Sequence, residues 1–391
     1  MVEWQNWSGR VTAHPREIRR PGSTEELAEL IAGGLRTGSE VRVVGSGHSH
    51  SPVAATDGLM LDLSNLSGLV DVDPANMEAT LAAGTAIHEI GPLLRTHGLA
   101  LLNQGDIDRQ AIAGAVATGT HGTGRSLGNL TSSVRAMTMI TADGSIIRCS
   151  PGENPDLFSA ARLSLGAFGV ITELRLAVRD AYRLHERIWL EDLDSVMSRI
   201  DELFDSTRHF EFFWYPGRRR AVCKSLEETT ADPDPLENNP RERIGWSDEI
   251  ISSERNDLHT EIEYSLPAPA GPPCLEELRW LISRDFPDLE WPLEYRAVAP
   301  DDIWMSPAHG RDTVTISVHQ GKGLGDEPLF RACERIFTRY DGRPHWGKVH
   351  FLDGDQLAAV HPHWRAWWDR RDEADPAGRF LNSHLRTWVG R

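Results

Sequence analysis

Hydrophobic positions in the first 180 residues switch repeatedly between the helical and the strand period. Leu27, Leu30 and Ile31 fall at helical spacing behind Ser23 and Thr24, which predicts a helix over 24–36. Val41, Val43 and Val44 form a β-branched run that reads as a short buried strand. Residues 59–64 read as another strand, and 69–81 as two strands around Asp73-Pro-Ala-Asn76. Over 85–98 the pattern is an amphipathic helix, with Ile87, Ile90, Leu93 and Leu94 on one face and Gly98 ending it. Residues 134–148 read as a hairpin turning at Ala142-Asp-Gly144, 154–161 as a short helix and 168–178 as a strand. This predicts an α+β unit over 1–180, without the regular rhythm of a doubly wound sheet.

From 181 to 348 the elements lengthen. Helices are predicted over 193–204, 275–286 and 329–340, and strands over 210–215, 293–298 and 313–319. Their alternation suggests an α/β domain whose sheet has helices on one face. Residues 227–259 interrupt it with Pro233, Pro235, Pro240 and mixed charges, which predicts a surface excursion. A domain boundary falls near 180.

Composition narrows the partners. A formal net charge of -17 argues against nucleic acid or an anionic membrane. No apolar run reaches membrane-spanning length, and the first residues have neither a basic start nor an apolar core. Cys149, Cys223, Cys274 and Cys333 are scattered, so free buried thiols in a reducing cytoplasm are expected. Of 13 tryptophans many lie in the last third, where core packing and carbohydrate stacking are both open readings. The oligomeric state is open, a monomer included.

Two glycine-rich stretches carry the candidate chemistry. Gly45-Ser46-Gly47-His48-Ser49 follows the strand at 41–44, and its amides can nest an anion. It is not the dinucleotide fingerprint, because position 50 is His. Residues 112–124 are almost all small, and read either as a packed strand-turn or as a wall close to a flat ligand. With a histidine in each (His48, His121), the pair favours a nucleotide-binding wall. No metal site is expected: Asp106 and Asp108 lack a compact ligand set, and His361-Pro-His363 is too short a cluster. Glu294 and Arg296 share one face of a predicted strand, His319 ends another, and Lys348 follows a Trp-Gly bend. These read either as structural ion pairs or as a site that anchors hydroxyl groups and removes a proton.

Six ordered motifs then define a resemblance. They are Val43–Ser49, Ile112–Gly124, Ser164–Thr172, Trp304–Arg311, His345–Lys348 and Asp375–Asn382. Together they resemble the aldonolactone oxidoreductase and alditol oxidase branch of the vanillyl-alcohol-oxidase flavoproteins. The resemblance implies a PCMH-type, non-Rossmann FAD-binding domain from 1–180, a cap domain from 181–348, and a segment 349–391 returning to the first domain. It implies a histidine tether to the flavin at His48. Val43, Val44, Gly45, Ser46, Gly47 and Ser49, with Gly105, Ala111, Gly114, Val116, Thr118, Gly119, His121, Gly122, Gly169, Ile171 and Lys348, are the implied cofactor contacts. Glu294, Arg296 and Lys348 are the implied catalytic set on the substrate side, and His319 is placed there to accept a proton or bind substrate. The implied substrate is a sugar-acid lactone or a polyol. The implied acceptor is O2 with H2O2 formed, with a non-oxygen acceptor or a bulkier metabolite as alternatives. Two departures favour a lactone. Ala111 stands where alditol oxidases have serine, and His319 where they have threonine, while Val318-His319-Gln320 is similar to bacterial gulonolactone-type enzymes.

Overall fold

The computed structural model describes residues 2–37, 39–234, 241–253 and 257–389. Strand Glu17–Arg19 leads through helix Thr24–Thr37 into strand Val41–Val44. Both strands pair in parallel with Leu59–Asp62, which lies between them. A second sheet runs Ile146–Cys149, Val134–Ile140, Val170–Asp180, Glu78–Ala82, Leu69–Asp73, all antiparallel, with Leu99–Leu101 also on Val170–Asp180. The hairpin expected over 134–148 forms with Ile146 opposite Ile140. Gly98 sits at φ 71°, the left-handed conformation that a helix stop demands.

Residues 183–344 build an eight-stranded antiparallel sheet. Its order is Glu242–Trp246, Arg183–Asp192, Arg220–Thr229, His209–Trp214, Leu293–Val298, Thr313–Gly321, His259–Pro267, Arg343–Pro344. Side chains alternate across a strand, so each strand gives the sheet two faces. Ile262, Tyr264, Leu266, Phe212, Tyr295, Ile316 and Val318 lie in the apolar core, with helices Gly271–Asp285 and Glu327–Arg339 packed on the sheet. The other face carries Glu261, Glu263, Glu211, Lys224, Glu294, Arg296, Ser317 and His319, all buried.

Three expectations change. The excursion over 227–259 includes regular structure: the end of strand Arg220–Thr229, strand Glu242–Trp246 and helix Ser247–Ile251, while 235–240 and 254–256 lie outside the described residues. The helix over 193–204 is two, Leu193–Ser198 and Ile200–Ser206, broken at Arg199 (φ -130°, ψ 26°). The small-residue run opens with a short helix, Ile112–Ala117, which packs against strand Val170–Asp180 and whose Val116 carbonyl accepts from Thr131 Oγ1 (2.7 Å).

All four cysteines are free and buried. Trp346, Trp364, Trp367, Trp368 and Trp388 are buried as core, whereas Trp280 is 59% exposed beneath the Arg284 guanidinium.

The last residues close on the first sheet. Val41 N–H donates to Arg379 O (2.9 Å), and Asn382 Nδ2 donates to Pro52 O and Ala55 O (2.8 Å each). Arg42 ties the same region together from within. Its guanidinium donates to Leu165 O (2.7 Å), Gly166 O (2.9 Å), Val53 O and Phe380 O. It is 2% exposed, and burial pulls its pKa down to about 10. Arg42→Met keeps the bulk and removes every donor, leaving several buried carbonyls unsatisfied at about 1–3 kcal/mol each. We expect at least about 3 kcal/mol of lost stability, read as a lower chemical-denaturation midpoint.

Candidate active site

The strand Val41–Val44 ends at the mouth of a cavity of about 400 Å³. Val43, Val44, Gly45, Ser46, Gly47, His48 and Ser49 line it on one side, and Ala111, Gly114, Thr118, Gly169 and Ile171 on the other. The two glycine-rich stretches meet at one point: a Cβ on Gly45 would lie 2.9 Å from Ala111 Cβ. Gly47 has φ 70°, so the turn carrying His48 needs its glycine. Arg42 and Arg109 bring cationic side chains to the lining.

His48 is half-buried and stacks on Trp7 (centroids 5.3 Å apart, planes at 30°). Its Nδ1 is buried with no hydrogen-bond partner among the described residues. Burial and then the Lys348 charge push its pKa down to about 4, so the ring is neutral at physiological pH. A neutral imidazole with an uncommitted nitrogen, beside a glycine cradle open to a flat group, fits a flavin cofactor.

A second cavity of about 60 Å³ adjoins the first, and Gln110 lines both. It is bounded by the polar face of the large sheet through Glu261, Glu263, Glu294 and Arg296. Gly105, Asp106, Ile107, Thr120, His121, His345 and Lys348 complete it, and no tryptophan lines it. Glu263 is its hub. It faces His121 Nε2 at 2.7 Å, accepts from Ser317 Oγ at 2.6 Å and pairs with Arg296. Arg296 also stands 3.5 Å from Glu294 Oε2. Lys348 Nζ pairs with Glu261, and His319 Nε2 lies 3.6 Å from the same carboxylate. Burial opposes ionisation of both acids. Lys348 and His319 nonetheless hold Glu261 well below the usual carboxylate range, and Arg296 and His121 do the same for Glu263. His345 Nδ1 accepts from Gly347 N–H at 3.0 Å, which puts the ring proton on Nε2, and burial pushes this ring down to about 3. Each cluster of acids and histidines tight enough to share an ion already contains a Lys or Arg pair: Arg296 on Glu263, Lys348 on Glu261, Lys224 on Glu211.

The structure thus brings together Glu294, Arg296, Lys348, His121 and Gly105. His319 lines neither cavity; its Nδ1 donates to Pro292 O (2.9 Å) and its other edge backs Glu261. Val116, Gly119 and Gly122 also line neither. Val116 is fully buried, Gly119 lies against Leu163 at φ 72°, and a Cβ on Gly122 would lie 2.2 Å from Gln104 O, so these three shape the wall from behind. Glu261, Glu263, His345 and Gln110 were missed. The alternation of His259, Glu261, Glu263 and Ser265 with Ile262, Tyr264 and Leu266 carries the signal for the first two.

A glycine cradle joined to a charged, water-poor pocket defines an FAD-dependent oxidoreductase, and an FAD-binding domain model matches residues 15–150. The chain belongs to the D-arabinono-1,4-lactone oxidase family, whose model matches residues 174–256 and 236–388. It is 35% identical to an L-gulono-1,4-lactone dehydrogenase of Mycobacterium tuberculosis, over 99% of either chain. It is 31% identical to a Streptomyces alditol oxidase over 97% of each, and 29% identical to the L-gulonolactone oxidase of Mus musculus over 98% of this chain and 97% of that one. The fold superposes on cholesterol oxidase from B. sterolicum with a TM-score of 0.87 at 14% identity, covering 99% of this chain and 96% of the other.

Proposed function

We propose that the protein oxidises a CH–OH group of a neutral polyhydroxy compound, a sugar-acid lactone in preference to an open polyol. The observation that carries this reading is Gln110, which lines both the cofactor cavity and the charged pocket. When bound, FAD supplies a hydride acceptor at N5. Arg296 and Lys348 polarise the reacting hydroxyl and stabilise the negative charge that builds on its oxygen. Glu294 accepts a hydrogen bond from a neighbouring hydroxyl and fixes which carbon faces the cofactor. His319 acts from behind, by holding Glu261 and through it Lys348. His48 tethers the flavin.

Charge sets the substrate class. Asp106, Glu261, Glu263 and Glu294 line the pocket against only Arg296 and Lys348, so a lactone enters more readily than its ring-opened carboxylate. Ala111, in place of a serine, lines the adjoining cofactor cavity, and His319, in place of a threonine, reaches the pocket only through Glu261; both replacements also weigh against an alditol. Anaerobic bleaching of the flavin with lactones, alditols, aldoses and aldonates is the test. Lactones should bleach fastest and aldonates not at all; rapid bleaching by aldonates, or none by any member, overturns the reading. Oxygen is the proposed acceptor, with stoichiometric peroxide in air. The mycobacterial relative is named a dehydrogenase, which favours a second reading: turnover with an artificial acceptor and no peroxide. No helix among the described residues is long and apolar enough to cross a membrane. The four buried free thiols support a cytoplasmic, reducing location.

A further inference from the structure

Lys348 is not the only side chain that its turn brings to the pocket. Lys348 N–H donates to His345 O (2.9 Å), which closes the turn and sets both residues on the pocket wall. The turn is tied down along its length. His345 N–H donates to Glu263 O (3.0 Å), His50 N–H to Gly347 O (2.7 Å) and Ser51 Oγ to Trp346 O (2.6 Å). Gly347 packs between the imidazole and the His48 loop: a Cβ there would lie 3.2 Å from His345 Cε1 and 3.4 Å from Ser49 Oγ. His345 is 5% exposed, and its ring also packs on that of His121 with centroids 5.5 Å apart.

The tautomer is fixed as well. His345 Nδ1 accepts from Gly347 N–H at 3.0 Å, so the ring proton is on Nε2. Burial pushes the pKa down to about 3; Glu263 opposes the fall, and His121 and Lys348 deepen it. The ring is therefore neutral wherever the enzyme is folded and working. The other pocket donors differ. Arg296 and Lys348 are cations held by Glu263 and Glu261. His121 spends Nε2 on Glu263 (2.7 Å) and Nδ1 on the Gly122 carbonyl (2.8 Å). His345 offers the pocket an uncharged N–H and no acceptor. Such a group matches an oxygen that only accepts, and it brings no net charge to draw in a carboxylate. The carbonyl oxygen of a lactone is of that kind, whereas hydroxyl groups donate as well and suit the carboxylates of the pocket.

We propose that His345 is a specificity-determining residue whose Nε2–H binds the carbonyl oxygen of a lactone substrate. It thereby separates lactones from ring compounds that carry the same hydroxyl groups without a carbonyl. This rests on the reading of the pocket as a lactone site.

Two substitutions divide the work of the two ring nitrogens. His345→Asn sets an amide oxygen near the place of Nδ1, so it keeps the acceptor for Gly347 N–H and removes the donor to the pocket. His345→Gln reaches as far as Nε2, so it keeps a donor and leaves the buried Gly347 N–H without its acceptor. The probes are the lactone that bleaches the flavin fastest and its carbonyl-free cyclic ether, the anhydroalditol with the same hydroxyl groups. The apparent Kd of each holoenzyme for the lactone is read from anaerobic bleaching, and for the ether from competition against it. His345→Asn should weaken the lactone about tenfold, leave the ether within about twofold, and melt close to the unaltered protein. His345→Gln should melt lower yet keep more of the preference for the lactone. Equal loss on both probes in His345→Asn, no loss on the lactone, or a greater loss of preference in His345→Gln than in His345→Asn overturns the proposal. Failure of every lactone to bleach the unaltered protein would remove the reading of the pocket and the carbonyl contact together. Bleaching with an unmoved preference would remove the carbonyl contact alone.

Discussion

Lys348→Ala slows flavin reduction by substrate roughly 100-fold or more, and Arg296→Ala costs at least as much. The size follows from where the two cations stand. Both line the small pocket beside Gln110, Arg296 buried and Lys348 half-buried, and both are set among carboxylates. In such a site a fixed cation next to a developing alkoxide is worth several kcal/mol, because no solvent must reorganise around it. The two variants differ in what they leave behind. Without Lys348, Glu261 keeps His319 at 3.6 Å. Without Arg296, Glu263 keeps His121 and Ser317, but Glu294 loses the guanidinium that stands 3.5 Å away. Arg296→Lys is therefore the informative companion: it retains the charge, cannot reach Glu263 and Glu294 together, and should recover only part of the rate. Anaerobic stopped-flow, on variants shown by thermal melting to be folded, gives the measurement. Rates within a few-fold of the unaltered enzyme in both alanine variants would remove these residues from the chemistry.

The second large effect is all-or-none. Acid-precipitated protein should stay yellow, while His48→Ala yields a colourless pellet and releases its flavin to the supernatant. His48 has the three properties a tether needs. It stands on the turn that lines the cofactor cavity, its Nδ1 is uncommitted, and its pKa of about 4 leaves the ring unprotonated. The stack on Trp7 fixes the plane of the ring. Removing the imidazole leaves the cradle intact, so the His48→Ala protein should still be yellow before acid is added. A colourless pellet from the unaltered protein would exclude the bond. Retention of colour by His48→Ala would place it on another residue.

The cofactor half was legible because its chemistry is local. Gly45 to Ser49 and residues 111–118 are contiguous runs whose composition already describes a close backbone approach, and the structure sets them face to face. The pocket was half legible. Glu294 and Arg296 announce themselves by sharing a strand face. Glu261 and Glu263 did not, because an alternation of acids with Ile262, Tyr264 and Leu266 looks like a strand with one wet side. Only the eight-stranded sheet shows that the polar side of that strand is buried. Lys224 and Glu211 were hidden for the same reason. The sheet brings them beside Arg296 across register, a relation that no spacing along one chain segment encodes. The strand at Glu242–Trp246 was lost in a stretch whose prolines and charges resemble a loop, since an edge strand needs few apolar residues to hold its place.

The clasp made by Phe380 and Asn382 has a consequence for biogenesis. Arg42 binds the Phe380 carbonyl, and Asn382 binds the carbonyls at 52 and 55, so the wall behind the cofactor cavity is finished by residues that follow the whole large sheet in the chain. A nascent chain emerges from its amino end and folds domain by domain. Here the amino-terminal unit must wait for the whole of the intervening sheet before its closing strap arrives. The wall behind the cofactor cavity is therefore completed only after residue 382 has been made, and a chain cut short within the large sheet lacks this closing strap.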